Sequence, residues 1–499
     1  MIKMTMAQKL VGLFFLWVII SGVFIARIEL NSFVYVRWFA LALLYLAASL
    51  FRPKTLILYT IIFGGSVQAI IAIGQQLAYI ESGHSQFSIT GLLDNPGPLG
   101  GCQAVALIIA LALAKESANK YSRLILLLSS LLIAYTVILS DSRASWMATL
   151  FGIIAILYEP ITSFIKNHRK WAVPLLSAVV VSLSIVAFNY RSDSARSRLL
   201  IWRVSADMIG DHPVLGHGLS SFNKHYMLYQ AAFFEKNSHS SLARVADNAA
   251  YPYNEFLHVW IELGIVGLLI LVAALALTFY SAEKKIRAPL VALLVFSLFS
   301  YPSSINVLMM MFQLLVGLSL PRKKCSYANA VASCLFLIVL LLWFLERGFI
   351  REANKNLQKT LLTVDKQAEL YIEQNRYHIA EYPALNTLYS LALIKQADEI
   401  DNEKINLLLP TCENWCDIGN IYVSQSSFGA AEKYYKEASL MIPTRFTPKY
   451  LLFKMYQETN RINEAMKIAN EILEMPLKVE NTYTLKHKAE IRAFLEAHT

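Results

Sequence analysis

Charge is what this chain has least of. Only 16% of its 499 residues are Asp, Glu, Lys or Arg, against 56% hydrophobic ones, whereas a soluble domain carries about 25% charged residues. That shortage excludes a soluble protein of ordinary composition and points to an integral membrane protein with a water-soluble part attached. Cysteine is also scarce. Of the five present, Cys102 and Cys334 fall in apolar runs and Cys325 at the edge of one. Cys412 and Cys416 stand four apart across a helix start, where a disulfide is open but not dictated by the spacing. No His pair or second Cys pair has metal-ligand spacing, so neither a metal nor another cofactor is expected. The net charge of +10 is no sign of nucleic acid, because the surplus sits in short loops between apolar runs. Beyond Gly348, acids and bases nearly balance.

What the chain has in quantity is long apolar sequence. A membrane helix needs about 17–25 residues, and about eleven runs approach that length. They are 10–26, 33–50, 56–78, 99–114, 124–139, 146–157, 171–188, 257–279, 288–301, 305–320 and 330–345. The run 146–157 is short, and the pair 288–301 and 305–320 is separated only by Tyr301-Pro302-Ser303-Ser304. Every second loop is basic: Lys3 and Lys9, Arg52 and Lys54, Lys115 and Arg123, Lys166 and Lys170, Lys284 and Lys285, Arg322 and Lys323. That alternation sets the N-terminus in the cytoplasm, and an odd number of spans exports the C-terminal part. The first run has a basic flank without a small-residue cleavage site and reads as a retained signal-anchor.

One polar insert, 189–253, interrupts the pattern. It falls on the exported side yet carries Arg191, Arg196, Arg198, Arg203 and Arg244. Arginine is disfavoured there, so the exception calls for an anionic ligand such as a lipid-linked pyrophosphate. Arg198 and Trp202 lie one helical turn apart. With Leu199, Leu200 and Met208 they suggest an amphipathic helix resting on the membrane surface, stopped by Gly210 and Pro213.

The tail has a different period. Trp415, Ile418, Gly419, Tyr422, Ala431, Tyr435, Ala438 and Pro443 fit the tetratricopeptide register position for position, and Tyr456 and Ala465 continue it more weakly. The expected fold is therefore all-α. A polytopic helix bundle covers 1–347 with its large loop, a helical bridge covers 348–409, and tetratricopeptide-like repeats cover 410–499. The repeats offer a groove for a peptide or protein, or else serve as a spacer.

Four segments on the exported side can carry chemistry. They are Gly91–Pro98 with its Asp94-Asn95-Pro96 turn, the hairpin Ser140-Asp141-Ser142-Arg143-Ala144-Ser145-Trp146, the stretch Arg196-Ser197-Arg198…Trp202…His212-Pro213…Gly216…Gly218, and Asp247-Asn248 followed by Tyr251-Pro252-Tyr253-Asn254-Glu255-Phe256-Leu257-His258…Glu262…Gly264…Gly267. Ionisable groups entering an apolar helix are costly unless they face a cavity or a partner, which singles out Glu255, His258 and Glu262.

In this order the segments resemble the bacterial O-antigen ligase family, with its relatives the O-antigen polymerases and the O-linked protein oligosaccharyltransferases. The resemblance covers roughly 92–320. It implies a metal-independent glycosyl transfer in the bacterial inner membrane, with the loop and tail in the periplasm. The donor would be a glycan on undecaprenyl pyrophosphate, and the acceptor a hydroxyl of protein, of lipid A core or of a growing chain. It also implies that Arg143 and Arg198 bind the donor pyrophosphate, where guanidinium groups neutralise charge on the leaving group. The family usually has a His before the Asn of the last motif, and here that residue is Tyr253. A phenol is a poor general base at neutral pH, so proton removal is expected from Asp247 or Glu255, with Tyr253 and Asn254 beside the acceptor. An inverting transferase acting on protein is the first expectation, followed by ligation to lipid A core and then polymerisation. A non-enzymatic lipid-glycan transporter with a docking domain is disfavoured, because polar groups gather at one face rather than at the midplane.

Overall fold

The computed structural model describes residues 4–498 except 94, 169, 172–173, 175–177, 179–191, 321–326, 364, 397–401 and 476–480. All regular elements among the described residues are helical. The bundle comprises α1 (Met6–Ile20), α2 (Phe33–Leu50), α3 (Lys54–Gln76), α4 (Pro96–Glu116), α5 (Lys120–Leu139), α6 (Arg143–Ile156) and α7 (Tyr158–Asn167). The polar insert follows as α8 (Ser192–Asp211) and α9 (Phe222–Lys236). The bundle then resumes with α10 (Glu255–Ser281), α11 (Lys284–Phe299), α12 (Asn306–Ser319) and α13 (Ala328–Leu362).

Seven helices are long and apolar enough to cross a membrane, and an eighth span forms if α6 and α7, bent by 73°, are taken together. The expected count of about eleven includes shorter apolar runs as well. The runs 146–157, 288–301 and 305–320 yield helices of 14, 16 and 14 residues, and 171–188 lies mostly outside the described residues. α4 sits in the middle, with 89% of its apolar window buried. Its entry uses Asn95 as a cap, the side chain accepting from Gly97 N at 2.8 Å, so this turn starts a helix. Asp94 is outside the described residues.

Loops expected to share one side of the membrane do meet at one end of the bundle. Lys54 Nζ lies 2.6 Å from Glu283 Oε1, and Lys284 Nζ lies 2.6 Å from Glu159 Oε1. Gln8 Nε2 donates to Leu320 O at 3.0 Å. The opposite end carries α8 and α9 and is called the loop end below.

α13 runs for 35 residues and crosses the 347/348 division without a break. Beyond it come α14 (Lys366–Ala380), α15 (Pro383–Gln396) and α16 (Asn402–Leu407), then the pairs α17 (Cys412–Ser424) with α18 (Phe428–Met441) and α19 (Phe446–Glu458) with α20 (Ile462–Glu474), and finally α21 (Thr482–His498). In α17 the absent side chain of Gly419 admits the Tyr435 ring from α18. Cys412 and Cys416 are buried free thiols on α17.

The insert and the tail share one apolar core. Leu200, Val204 and Met208 of α8 and Phe222, Tyr226 and Phe234 of α9 are buried together with Ile379, Tyr389, Ile418 and Met441. The apolar face of α8, expected on the membrane surface, is thus covered by protein. Only Leu199 of the expected set stays exposed. Gly210 lies within α8, which ends at Asp211 ahead of Pro213.

Candidate functional site

The loop end is organised around a break in α10. Gly264 has φ 66° and ψ −177°, a conformation open to glycine alone. The break leaves carbonyls and N–H groups of an apolar helix unpaired, which a membrane setting does not tolerate. The segment 213–218 supplies the partners. His217 N donates to Ile261 O (2.8 Å) and Gly218 N to Glu262 O (2.9 Å), while Ile265 N donates to Pro213 O (3.0 Å). A Cβ on Gly264 would stand 2.0 Å from Val214 O. The glycines of the third and fourth motifs therefore belong to one joint.

Arg143 and Arg198 lie near enough to each other at the loop end for their charges to interact. Arg143 opens α6 and its Nη2 donates to Ser194 Oγ at 3.1 Å. The Arg198 guanidinium lies over the Tyr253 ring, 5.2 Å from its centroid. Burial, and then the neighbouring Arg143 charge, lower the pKa of Arg198. No carboxylate among the described residues pairs with Arg198. Trp202, on the same face of α8, donates from Nε1 to Pro252 O at 2.9 Å, so the expected shared face holds the Pro252-Tyr253 corner.

Tyr253 occupies the left-handed region at φ 52°, a strained position for a residue with a side chain. Its ring meets Tyr301 edge-on at 5.3 Å, and Tyr251 stacks on the same Tyr301 at 4.1 Å. Burial raises the Tyr253 phenol, opposed by Arg198. The hydroxyl stays protonated at neutral pH and can donate a hydrogen bond but not take a proton.

Asn254 caps α10, its Oδ1 accepting from Phe256 N (3.0 Å) and Leu257 N (3.1 Å). Glu255 Oε1 accepts from Ser303 N (2.9 Å) and Ser303 Oγ (2.8 Å). His258 lies between two carboxylates, with Nδ1 3.6 Å from Glu255 Oε2 and Nε2 3.2 Å from Glu262 Oε1. Each ring nitrogen faces a carboxylate, so the ring is poorly placed to accept a proton from a ligand. Glu255, His258 and Glu262 line a cavity of about 860 Å³ that also reaches Tyr251, whereas Asp247 does not line it. Asp247 is exposed and faces Arg445 of the tail, Oδ1 to Nη2 3.3 Å. Arg445 also meets Glu413 at 3.0 Å.

The structure thus gathers Arg143, Arg198 and Tyr253 on one side of Tyr301, and Glu255 on the cavity side. Asp247 is drawn off to the tail and Asn254 into a helix cap. Tyr251 stood in the fourth segment without an assigned role, and Tyr301 and Ser303 were not singled out as site residues from sequence. The polar Tyr301-Pro302-Ser303-Ser304 break inside an apolar stretch was the available signal.

These features fall in a recognisable segment. A family model described as O-Antigen ligase matches residues 128–272, the stretch that holds Arg143, Arg198, Tyr253 and the α10 joint. The match places this segment in the O-antigen ligase superfamily, as the motif order implied. A Rickettsia conorii protein described as a putative polysaccharide ligase is 27% identical over 182 residues, covering 34% of this chain. The chain spans 42% of the length of that relative.

Proposed function

We propose that the protein transfers a glycan from undecaprenyl pyrophosphate to a hydroxyl of protein or lipid A core, on the periplasmic face of the inner membrane. The observation that carries this reading is the pairing of two guanidinium groups, Arg143 and Arg198, within the matched segment. Arg143 acts electrostatically on the buried Arg198, a cost that a bound diphosphate would offset and to which guanidinium geometry is suited. The pair grips the diphosphate and stabilises the charge it gains as the anomeric C–O bond breaks. The acceptor oxygen attacks the anomeric carbon from the opposite face, inverting it, and its proton passes to Glu255. Glu255 is preferred to Asp247 because it lines the cavity while Asp247 is held by Arg445. Tyr253 positions Arg198 through its ring, and Asn254 positions Glu255 by fixing the first turn of α10.

The test uses the full chain reconstituted in liposomes, with lipid-linked glycan extracted from the source cells. Arg198→Ala and Arg143→Ala should each lower transfer by about 10²–10³ while the thermal unfolding midpoint stays unchanged. Undiminished transfer in both variants would remove the diphosphate site.

A further inference from the structure

Three parts of the chain enclose the 860 Å³ cavity. One wall is the end of the bundle with Glu255 and Ser303, and a second is formed by 26–29 and 219–228. The third belongs wholly to the tail, where Tyr377, Trp415, Lys433, Tyr434 and Glu437 face the cavity. Arg143 and Arg198 do not line it, so the tail wall lies apart from the site assigned to the diphosphate.

The cavity does not end there. A second, more open cleft of about 500 Å³ runs between α9 and α18, and it shares Leu228, Lys433 and Glu437 with the first. Together they make a track leading from Glu255 outward between insert and tail. We propose that this track holds a saccharide chain of several units, with the tail supplying its binding residues. The proposal rests on the glycosyl-transfer reading above and adds where the chain lies.

The lining chemistry carries the assignment. Trp38, Tyr251, Tyr377, Trp415 and Tyr434 bring aromatic rings to the cavity, and the electron-rich face of such a ring suits the C–H face of a pyranose. Between them, charges of both signs alternate. Lys433 and Glu437 stand one turn apart on α18, and Arg27 and Glu29 belong to the second wall. Such a lining offers donors and acceptors to hydroxyl groups without the cationic surplus that a diphosphate requires. Trp415 Nε1 donates to Glu437 Oε2 at 2.8 Å, fixing that carboxylate, while Oε1 and the Lys433 ammonium have no partner among the described residues. An open groove of this form accommodates a chain longer than the cavity, as a sealed pocket would not.

The saccharide can come from the donor or from the acceptor, and both are tested. Two oligosaccharides are prepared from the source cells by mild acid, one from the lipid-linked glycan and one from the surface glycolipid. Binding of each to the detergent-purified full chain is followed by saturation-transfer difference NMR, beside a Ser/Thr-rich peptide. One oligosaccharide is expected to bind, and its identity names the source. Its Kd should rise about tenfold in Tyr434→Ala and in Tyr377→Ala, with a smaller rise in Glu437→Gln. Tyr377 is exposed, so its removal leaves the fold intact even if Tyr434→Ala unfolds. Arg198→Ala should bind the oligosaccharide normally although it cannot transfer it. Failure of both saccharides to bind, a Kd unmoved in the tyrosine variants, or binding of the peptide alone would overturn the track. Persistent transfer in Arg198→Ala would instead overturn the diphosphate reading and leave the track standing.

Discussion

Two polar regions flank Tyr301 and handle charge in opposite ways. On the α8 side, guanidinium groups are brought together beside an aromatic ring, and no carboxylate among the described residues pairs with Arg198. On the cavity side, His258 is held between Glu255 and Glu262, and Ser303 satisfies one carboxylate oxygen. Burying like charges is unfavourable unless a ligand compensates them, whereas an internally compensated cluster keeps its geometry when empty. On the proposed reading, the first region is the one that an anion completes. The second is built to hold one carboxylate in place.

The contrast can be broken in several ways. The largest effect is expected from removing the tail. A chain ending before Asn354 loses the Ile379, Tyr389, Ile418 and Met441 side of the core that buries α8 and α9. Transfer should vanish with every acceptor, and limited proteolysis should cut within 192–236. Activity surviving that truncation would mean that the insert folds alone.

Next comes the choice of proton acceptor. Glu255→Gln should lower kcat by about 10²–10⁴, whereas Asp247→Asn should change it by no more than about threefold, as for an exposed ion pair. The reverse order would move the proton to the tail-facing side of the insert.

A smaller effect separates the ring of Tyr253 from its hydroxyl. If the ring positions Arg198, Tyr253→Phe keeps most of the activity and Tyr253→Ala loses about 0.5–2 kcal/mol of transition-state stabilisation. Equal loss in both variants would give the phenol the active part.

The smallest effect concerns pH. Burial, together with His212, lowers the pKa of His217 from 6.5, against a hydrogen bond to Met208 O that raises it. Asp211, His225 and Tyr229 also surround the ring. The folded state favours the neutral form, so this contribution to stability is present above 6.5 and is lost as the pH falls through the lowered value. The unfolding midpoint should drop modestly between about pH 7.5 and about pH 5.5, and His217→Gln should flatten that drop.

Much of this was legible in the sequence, but unevenly. Hydropathy located the bundle, and the loop charges anticipated which connections meet, because both depend on local composition. The spacing of Arg198 and Trp202 correctly put them on one face, since helical period alone decides that. The surroundings of that face were not legible. The apolar stripe of α8 looked suited to a membrane surface, and only the fold reveals that α9, α10 and the turn at Ser241–Val245 cover it. Asp247 and Glu255 flank the same motif at similar distance along the chain, yet one meets Arg445 and the other Ser303. Sequence separations of 198 and 48 residues put those partners beyond any local pattern. Asn254 is the converse case, as an Asn ahead of an apolar helix is a ready cap by residue type alone.

One further property follows from α13. Its 35 residues extend about 52 Å at 1.5 Å each, far beyond the hydrocarbon thickness of about 30 Å. Arg37 Nη2 clamps it to α2 through Glu346 at 3.0 Å, and Tyr382 Oη reaches the same carboxylate at 3.1 Å. The last span is thus a stiff lever hinged at its middle, with lipid on one arm and the tail on the other. Because the helix is unbroken, a tilt of its membrane part carries over to the stretch on which the tail is mounted.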